Sequence, residues 1–249
     1  MKKVLKYSLI FLIFISFFSF CFADTSLKRK LSSKQKIEFA TRDGFILVGD
    51  LYLAQKKSNK PLVVCIHSFS MNASAWQDLA NNLRLKDYNV LAMDLRGHGR
   101  SVYNSKLKIK SRYQFAKEDW QRLPKDFVQS VNYIKSNYAD INANDIILVG
   151  ADLGAIAGVN GSLNLKPVPS KMVLISPVMN FKGLSMPVKT LKFYNTKMMY
   201  ITTKSDRVYL NFYLNTQPVI KQYPLGGPGT QLIKVNSSAV NDIVNFIIN

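Results

Sequence analysis

Apolar and polar positions alternate along this chain in blocks, and the blocks change period. Five short apolar runs, Pro61 to His67, Asn89 to Asp94, Asp145 to Gly150, Lys171 to Ser176 and Lys197 to Thr202, are bounded by polar or turn-forming residues. Runs of that length read as strands buried on both faces. Between them the spacing becomes helical. Trp76, Leu79 and Leu83 share one face of Ala73 to Leu85, and Phe127, Val131 and Ile134 one face of Lys117 to Tyr138, where Pro124 breaks the first part. Nearer the start, Ile37 to Thr41 and Phe45 to Leu53 read as a hairpin across Asp43-Gly44. Toward the end, Ser205 to Asn215 reads as a short helix, Val219 to Tyr223 as the last strand, Leu225 to Thr230 as a glycine-rich loop, and Ser237 to Ile248 as the closing helix. Tyr103 to Gln114 is polar and reads as loop. Strands alternating with helices predict an α/β protein with a mainly parallel, doubly wound sheet. The span between Ser176 and Lys197 is too short for a lid domain.

One stretch organises the rest. The strand from Asp145 breaks at Gly150, turns through Asp152, and resumes at Gly154 with small residues suited to a closely packed helix. Glycines on either side of one polar residue permit a tight turn and a close strand–helix approach. The tip residue is pushed outward, above the carboxyl end of the sheet.

Charge and the N-terminus add the setting. The 249 residues hold 34 Lys and Arg against 15 Asp and Glu, so 34 − 15 = +19. Such a surplus favours anionic surroundings, although a solvated Lys-rich surface is the simpler account of it. No stretch combines clustered Arg and Lys with the aromatics or motif of a nucleic-acid module, so nucleic acid is not an expected partner. Lys2, Lys3 and Lys6 precede the apolar run from Leu9 to Phe18, and Cys21 and Ala23 supply small residues beyond it. That is the pattern of a Sec signal peptide cut after Ala23, with an uncleaved membrane anchor as the alternative. The expected organisation is therefore a leader at 1–23, a basic segment at 24–36, and one domain at 37–249. With Cys21 removed, Cys65 is the lone thiol, inside an apolar strand where an inert buried sulfhydryl is the default.

Three anchors now stand in order: His67-Ser-Phe after one strand, Asp94-Leu-Arg-Gly-His-Gly-Arg-Ser101 after the next, and Gly150-Ala-Asp-Leu-Gly154. Together they resemble the α/β-hydrolase superfamily, in its lidless esterase-like or serine-aminopeptidase-like branches, from about Lys34 to the C-terminus. The third anchor matches the nucleophile elbow G-x-S-x-G with aspartate at the tip. The resemblance implies an α/β-hydrolase fold with an N-terminal antiparallel hairpin and no lid domain. It puts Asp152 at the nucleophile position and Asp206 at the acid position, where an ordinary turn aspartate is the alternative. It also implies an oxyanion hole formed by the backbone N–H groups of Phe69 and Leu153. The base position falls on Pro228. His67 and His98, the only histidines, occupy places where the family keeps structural imidazoles.

An aspartate at the elbow is ionised near neutral pH and can attack without help. The covalent ester it forms still needs a base-activated water, and proline offers none. Two exceptions stay open: Asp206 activating water directly, or a metal bridging Asp152 and Asp206, which without a histidine cluster is a weak site. No cofactor is expected. The sequence thus leaves three functions: a non-catalytic or weakly active protein binding a small-molecule ligand, an active hydrolase of an ester, thioester, amide or halide through Asp152, or a binder of polyanions or an anionic envelope surface. Oligomeric state is not written in the pattern.

Overall fold

The computed structural model describes residues 33–187, 193, 195–203, 218–227 and 229–249. Their centre is an eight-stranded sheet in the order β1-β2-β4-β3-β5-β6-β9-β10. The strands are β1 Lys34–Ala40, β2 Ile46–Tyr52, β3 Pro61–Ile66, β4 Val90–Met93, β5 Asn142–Ala151, β6 Lys171–Ile175, β9 Lys197–Thr203 and β10 Val219–Tyr223. Pairing is antiparallel from β1 to β2 and from β2 to β4, and parallel from there to β10. The predicted hairpin is the first of these pairs. It begins at Lys34, inside the segment set apart as basic at 24–36.

Among the described residues six helices flank the sheet: α1 Gln77–Arg84, α2 Lys117–Trp120, α3 Leu123–Asn137, α4 Leu153–Ser162, α5 Thr230–Val235 and α6 Ser237–Ile248. A 3-10 turn, Ala73–Trp76, leads into α1, capped by the Asn72 side chain on the Ser74 N–H. The helical pattern around Pro124 resolves as two helices, with the proline in the first turn of α3, where its missing N–H is not needed. Alternate residues of the central strands face opposite ways. Leu62, Val64 and Ile66 join α3 and α4 in one core, while Val63 and Cys65 join Trp76, Leu79 and α6 in the other. Burial on both faces is why these runs carry no polar alternation.

Two local features depart from the sequence reading. The connection from β6 to β9 carries a two-stranded hairpin, β7 Asn180–Phe181 and β8 Leu184–Ser185, which turns at positive φ through Lys182 and Gly183. The glycine-rich loop ends one residue earlier than expected, because Thr230 opens α5. Cys65 is fully buried, and desolvation holds its thiol far above the ordinary range.

Candidate functional site

The loops after β3, β5 and β10 meet above the carboxyl end of the parallel strands. After β5 the chain turns at Asp152, with φ 50° and ψ −115°, and enters α4 at Leu153. A non-glycine residue in that region is strained, and such strain gathers at functional turns. The elbow closes because Gly154 has no side chain: a Cβ there would run into the carbonyls of Ile66 and His67. The Asp152 N–H donates to the Ile175 carbonyl at 2.9 Å, which ties the tip to β6.

The Asp152 side chain points toward the loop after β3. The Phe69 N–H donates to Oδ2 at 3.2 Å. Burial raises the pKa of this carboxyl, opposed by the Phe69 and Leu153 backbone amides, which favour the charged form. The two amides expected to form an oxyanion hole therefore both act on the protein's own carboxylate. Among the described residues Asp152 has no cationic partner.

The loop after β10 closes the opposite wall. Gly229, at φ 62°, lies so close that a Cβ there would stand 3.1 Å from Asp152 Cβ. Thr230 Oγ1 and Ser68 Oγ are 2.9 Å apart, joining this loop to the loop after β3. Both hydroxyls are buried. Pro228, one residue before Gly229, and Asp206 lie outside the described residues, as do Cys21 and the rest of the leader.

Neither histidine hydrogen-bonds to Asp152. His67 Nδ1 pairs with the Ser68 carbonyl at 2.7 Å, and its Nε2 accepts the Leu95 N–H at 3.0 Å. His98 Nδ1 pairs with the Arg96 carbonyl at 2.9 Å. The two rings stack edge-on at 5.2 Å. Burial lowers His67 to about 3 and His98 to about 4, so both are neutral at ordinary pH. They hold the turns.

The Asp94–Ser101 string is likewise consumed by architecture. Asp94 accepts the Ala73 N–H at 2.7 Å, and its other oxygen accepts Arg100 Nε at 2.8 Å. Arg96 is buried, with Nε and Nη2 each 2.6 Å from Asp126 and Nη1 2.8 Å from Asp43. Burial pushes Asp126 up to about 6 while Arg96 pulls it down; the paired bonds keep it the anionic partner. Ser101 Oγ accepts the Val48 N–H at 2.8 Å and donates to the Asp94 carbonyl at 2.8 Å.

An aromatic wall that the sequence pattern did not reveal stands beside Asp152. The Phe69 ring lies 5.8 Å from Trp120 and 5.3 Å from Phe181, and the Arg112 guanidinium sits 5.1 Å over its face. Ser68 and Thr230 were missed too, because partners 162 positions apart leave no local signature. No cluster of three metal-ligating side chains occurs among the described residues.

Comparison with known proteins fits this geometry. Residues 57–224 match the family model described as serine aminopeptidase, S33. A 121-residue stretch is 28% identical to a monoglyceride lipase homolog of monkeypox virus, covering 49% of this chain and 40% of that protein. The chain thus spans less than half the length of that relative. Among solved structures, the Pyrococcus furiosus esterase Pf2001 is similar with a TM-score of 0.63 and 16% identity, covering 89% of this chain and 92% of the esterase. The α/β hydrolase GrgF from Penicillium is similar with a TM-score of 0.61 and 16% identity, covering 86% of this chain and 97% of that one.

Proposed function

The chain belongs to the serine aminopeptidase S33 family of α/β-hydrolases, and from that premise we propose that it binds a small apolar, ester-like molecule without turning it over. The observation that carries this reading is the Phe69 N–H donating to Asp152 Oδ2. Acyl transfer places negative charge on the substrate oxygen, and backbone donors stabilise it. Here a carboxylate already draws on those donors, and a second anion beside it is repelled in a half-buried site. No imidazole bonds to Asp152 to activate a water, so an ester formed on that carboxylate would persist. Phe69, Trp120 and Phe181 leave an apolar wall suited to the non-polar part of such a ligand. The basic, apolar leader supports an exported protein, which N-terminal sequencing tests: Asp24 as the first residue supports cleavage, and an intact leader opposes it.

An activated-ester assay on wild type, Asp152→Ala, and the pair Asp152→Ser with Pro228→His tests the central claim. The expected result is no steady turnover by wild type and measurable turnover by the pair. Steady wild-type turnover that Asp152→Ala abolishes overturns it in favour of an enzyme with an aspartate nucleophile.

A further inference from the structure

The loop from Val102 to Gln114 reaches the site through Arg112, which lies over the Phe69 ring, and it carries the two most exposed large apolar side chains of the described residues. Of the ten large apolar side chains exposed among the described residues, four lie here: Tyr103, Leu107, Ile109 and Tyr113. Leu107 and Tyr113, each 79% exposed, are the two most exposed of the ten, and Ile109 is 63% exposed. Lys106, Lys108, Lys110 and Arg112 alternate with them, and no acidic residue occurs between Asp94 and Glu118.

This is a built projection. Asn104 N–H donates to the Lys108 carbonyl at 3.0 Å, and Lys110 N–H donates to the Val102 carbonyl at 2.7 Å. The Asn104 side-chain oxygen accepts the N–H groups of Lys106 and Lys108, both at 3.0 Å. Leu107, at φ 56°, forms the tip. Next to the tip, Ser105 N–H donates to the Gly44 carbonyl at 2.7 Å, which ties the loop's turn to the hairpin turn between β1 and β2. On the other side, Lys110 pairs with Asp119 at 2.6 Å, and Arg112 covers the Phe69 ring. Lys106 and Lys108 make no ion pair among the described residues and stand exposed at the tip.

We propose that this loop docks the protein on an anionic lipid bilayer, with Leu107 and Ile109 entering the interface and Lys106 and Lys108 meeting the headgroups. The alternation is what selects a bilayer. Aliphatic tips gain from leaving water at the headgroup boundary, while long lysine stems keep their ammonium groups among the phosphates. Leu107 and Ile109 at the tip do not stack on bases, and Tyr113, away from the tip, already carries the Arg112 guanidinium at 4.8 Å over its ring, so a single-stranded nucleic acid would gain less here than a bilayer. The net charge, +19 for the chain and 19 − 3 = +16 without Lys2, Lys3 and Lys6 of the leader, supplies attraction of the same sign over a longer range. The proposal does not rest on the ligand-binding reading, although the loop's root packs on the aromatic wall and would hold the site near the lipid surface.

The test places a reporter in the loop of the full chain, because the apolar leader could hold the protein on vesicles by itself. In Ile109→Trp, the indole at position 109 is read by fluorescence against phosphatidylcholine vesicles with and without phosphatidylglycerol. Trp76 and Trp120 are buried and contribute a constant background. The expected result is a blue shift with phosphatidylglycerol present, and quenching when brominated acyl chains are included. Adding Lys106→Gln and Lys108→Gln should weaken the response about thirtyfold, and Leu107→Ser should weaken it about threefold or more. Variant folds are checked by their melting curves. An indole that stays unshifted while the protein sediments with vesicles overturns the proposal. So does an equal shift on phosphatidylcholine alone, or the same shift produced by heparin or DNA without lipid.

Discussion

The turns after β4 and β5 are built alike and used differently. Each follows a parallel strand buried on both faces, and each sets an aspartate near the mouth of the sheet. After β4, Asp94 accepts backbone and guanidinium hydrogens, Arg96 is closed between Asp126 and Asp43, and Ser101 bridges two strands. After β5, Asp152 sits half-buried at positive φ with backbone donors and, among the described residues, no cation. The first turn is closed by its own ion pairs and hydrogen bonds, and the second holds a carboxylate against backbone amides of the neighbouring loop. Within one domain, the side chains that hold loops in place are thus separable from those that would move protons.

The largest effect that separates the two turns is on stability. Arg96→Met leaves Asp126 buried without its cation and removes one of the two cations of Asp43, which keeps Arg122 at 2.8 Å, a loss of about 3–5 kcal/mol. Urea denaturation measures it, and a loss below about 1 kcal/mol would mean that the β4 network is as dispensable as the elbow charge. The next effect tests the elbow's packing apart from its chemistry. Gly154→Ala drives a methyl into the Ile66 and His67 carbonyls and should cost about 1–3 kcal/mol. Thermal melting decides it, and an unchanged midpoint would show that α4 can retreat from β3.

What could be read from the sequence follows the same division. The buried strands were legible because continuous apolar runs require cover on both faces, and β3, β5 and β6 fall where those runs stand. The elbow was legible because Gly150, Asp152 and Gly154 are close in sequence and constrain one another through the backbone. Contacts closed by the fold were not legible. Ser68 and Thr230, or Phe69 and Phe181, meet only after the sheet is assembled. The β7–β8 hairpin escaped because two-residue strands carry no period to detect. The direction of the Asp152 carboxylate, toward the amide of Phe69, is a rotamer set by its neighbours, and no spacing rule encodes it.

The smallest predicted effect bears most directly on the elbow. Burial raises the Asp152 pKa in the folded chain above its unfolded value of about 3.9. A carboxyl shifted upward supports the fold fully below that unfolded value. Its support is lost as pH rises through the folded pKa, where the charged form is held in a poorer solvent than water. Asp152→Asn keeps an acceptor for the Phe69 N–H and removes the titration. The variant's stability relative to wild type should therefore increase as pH rises from below about 4 into the neutral range, then level off. Urea unfolding of both proteins across that range isolates the elbow, since His67 and His98 titrate alike in each. A difference that runs the other way, favouring wild type as pH rises, would mean that the Phe69 and Leu153 amides outweigh burial. The elbow would then be a well-formed anion site closed by its own side chain, and freeing it by Asp152→Gly should expose a vacancy able to take a ligand carboxylate.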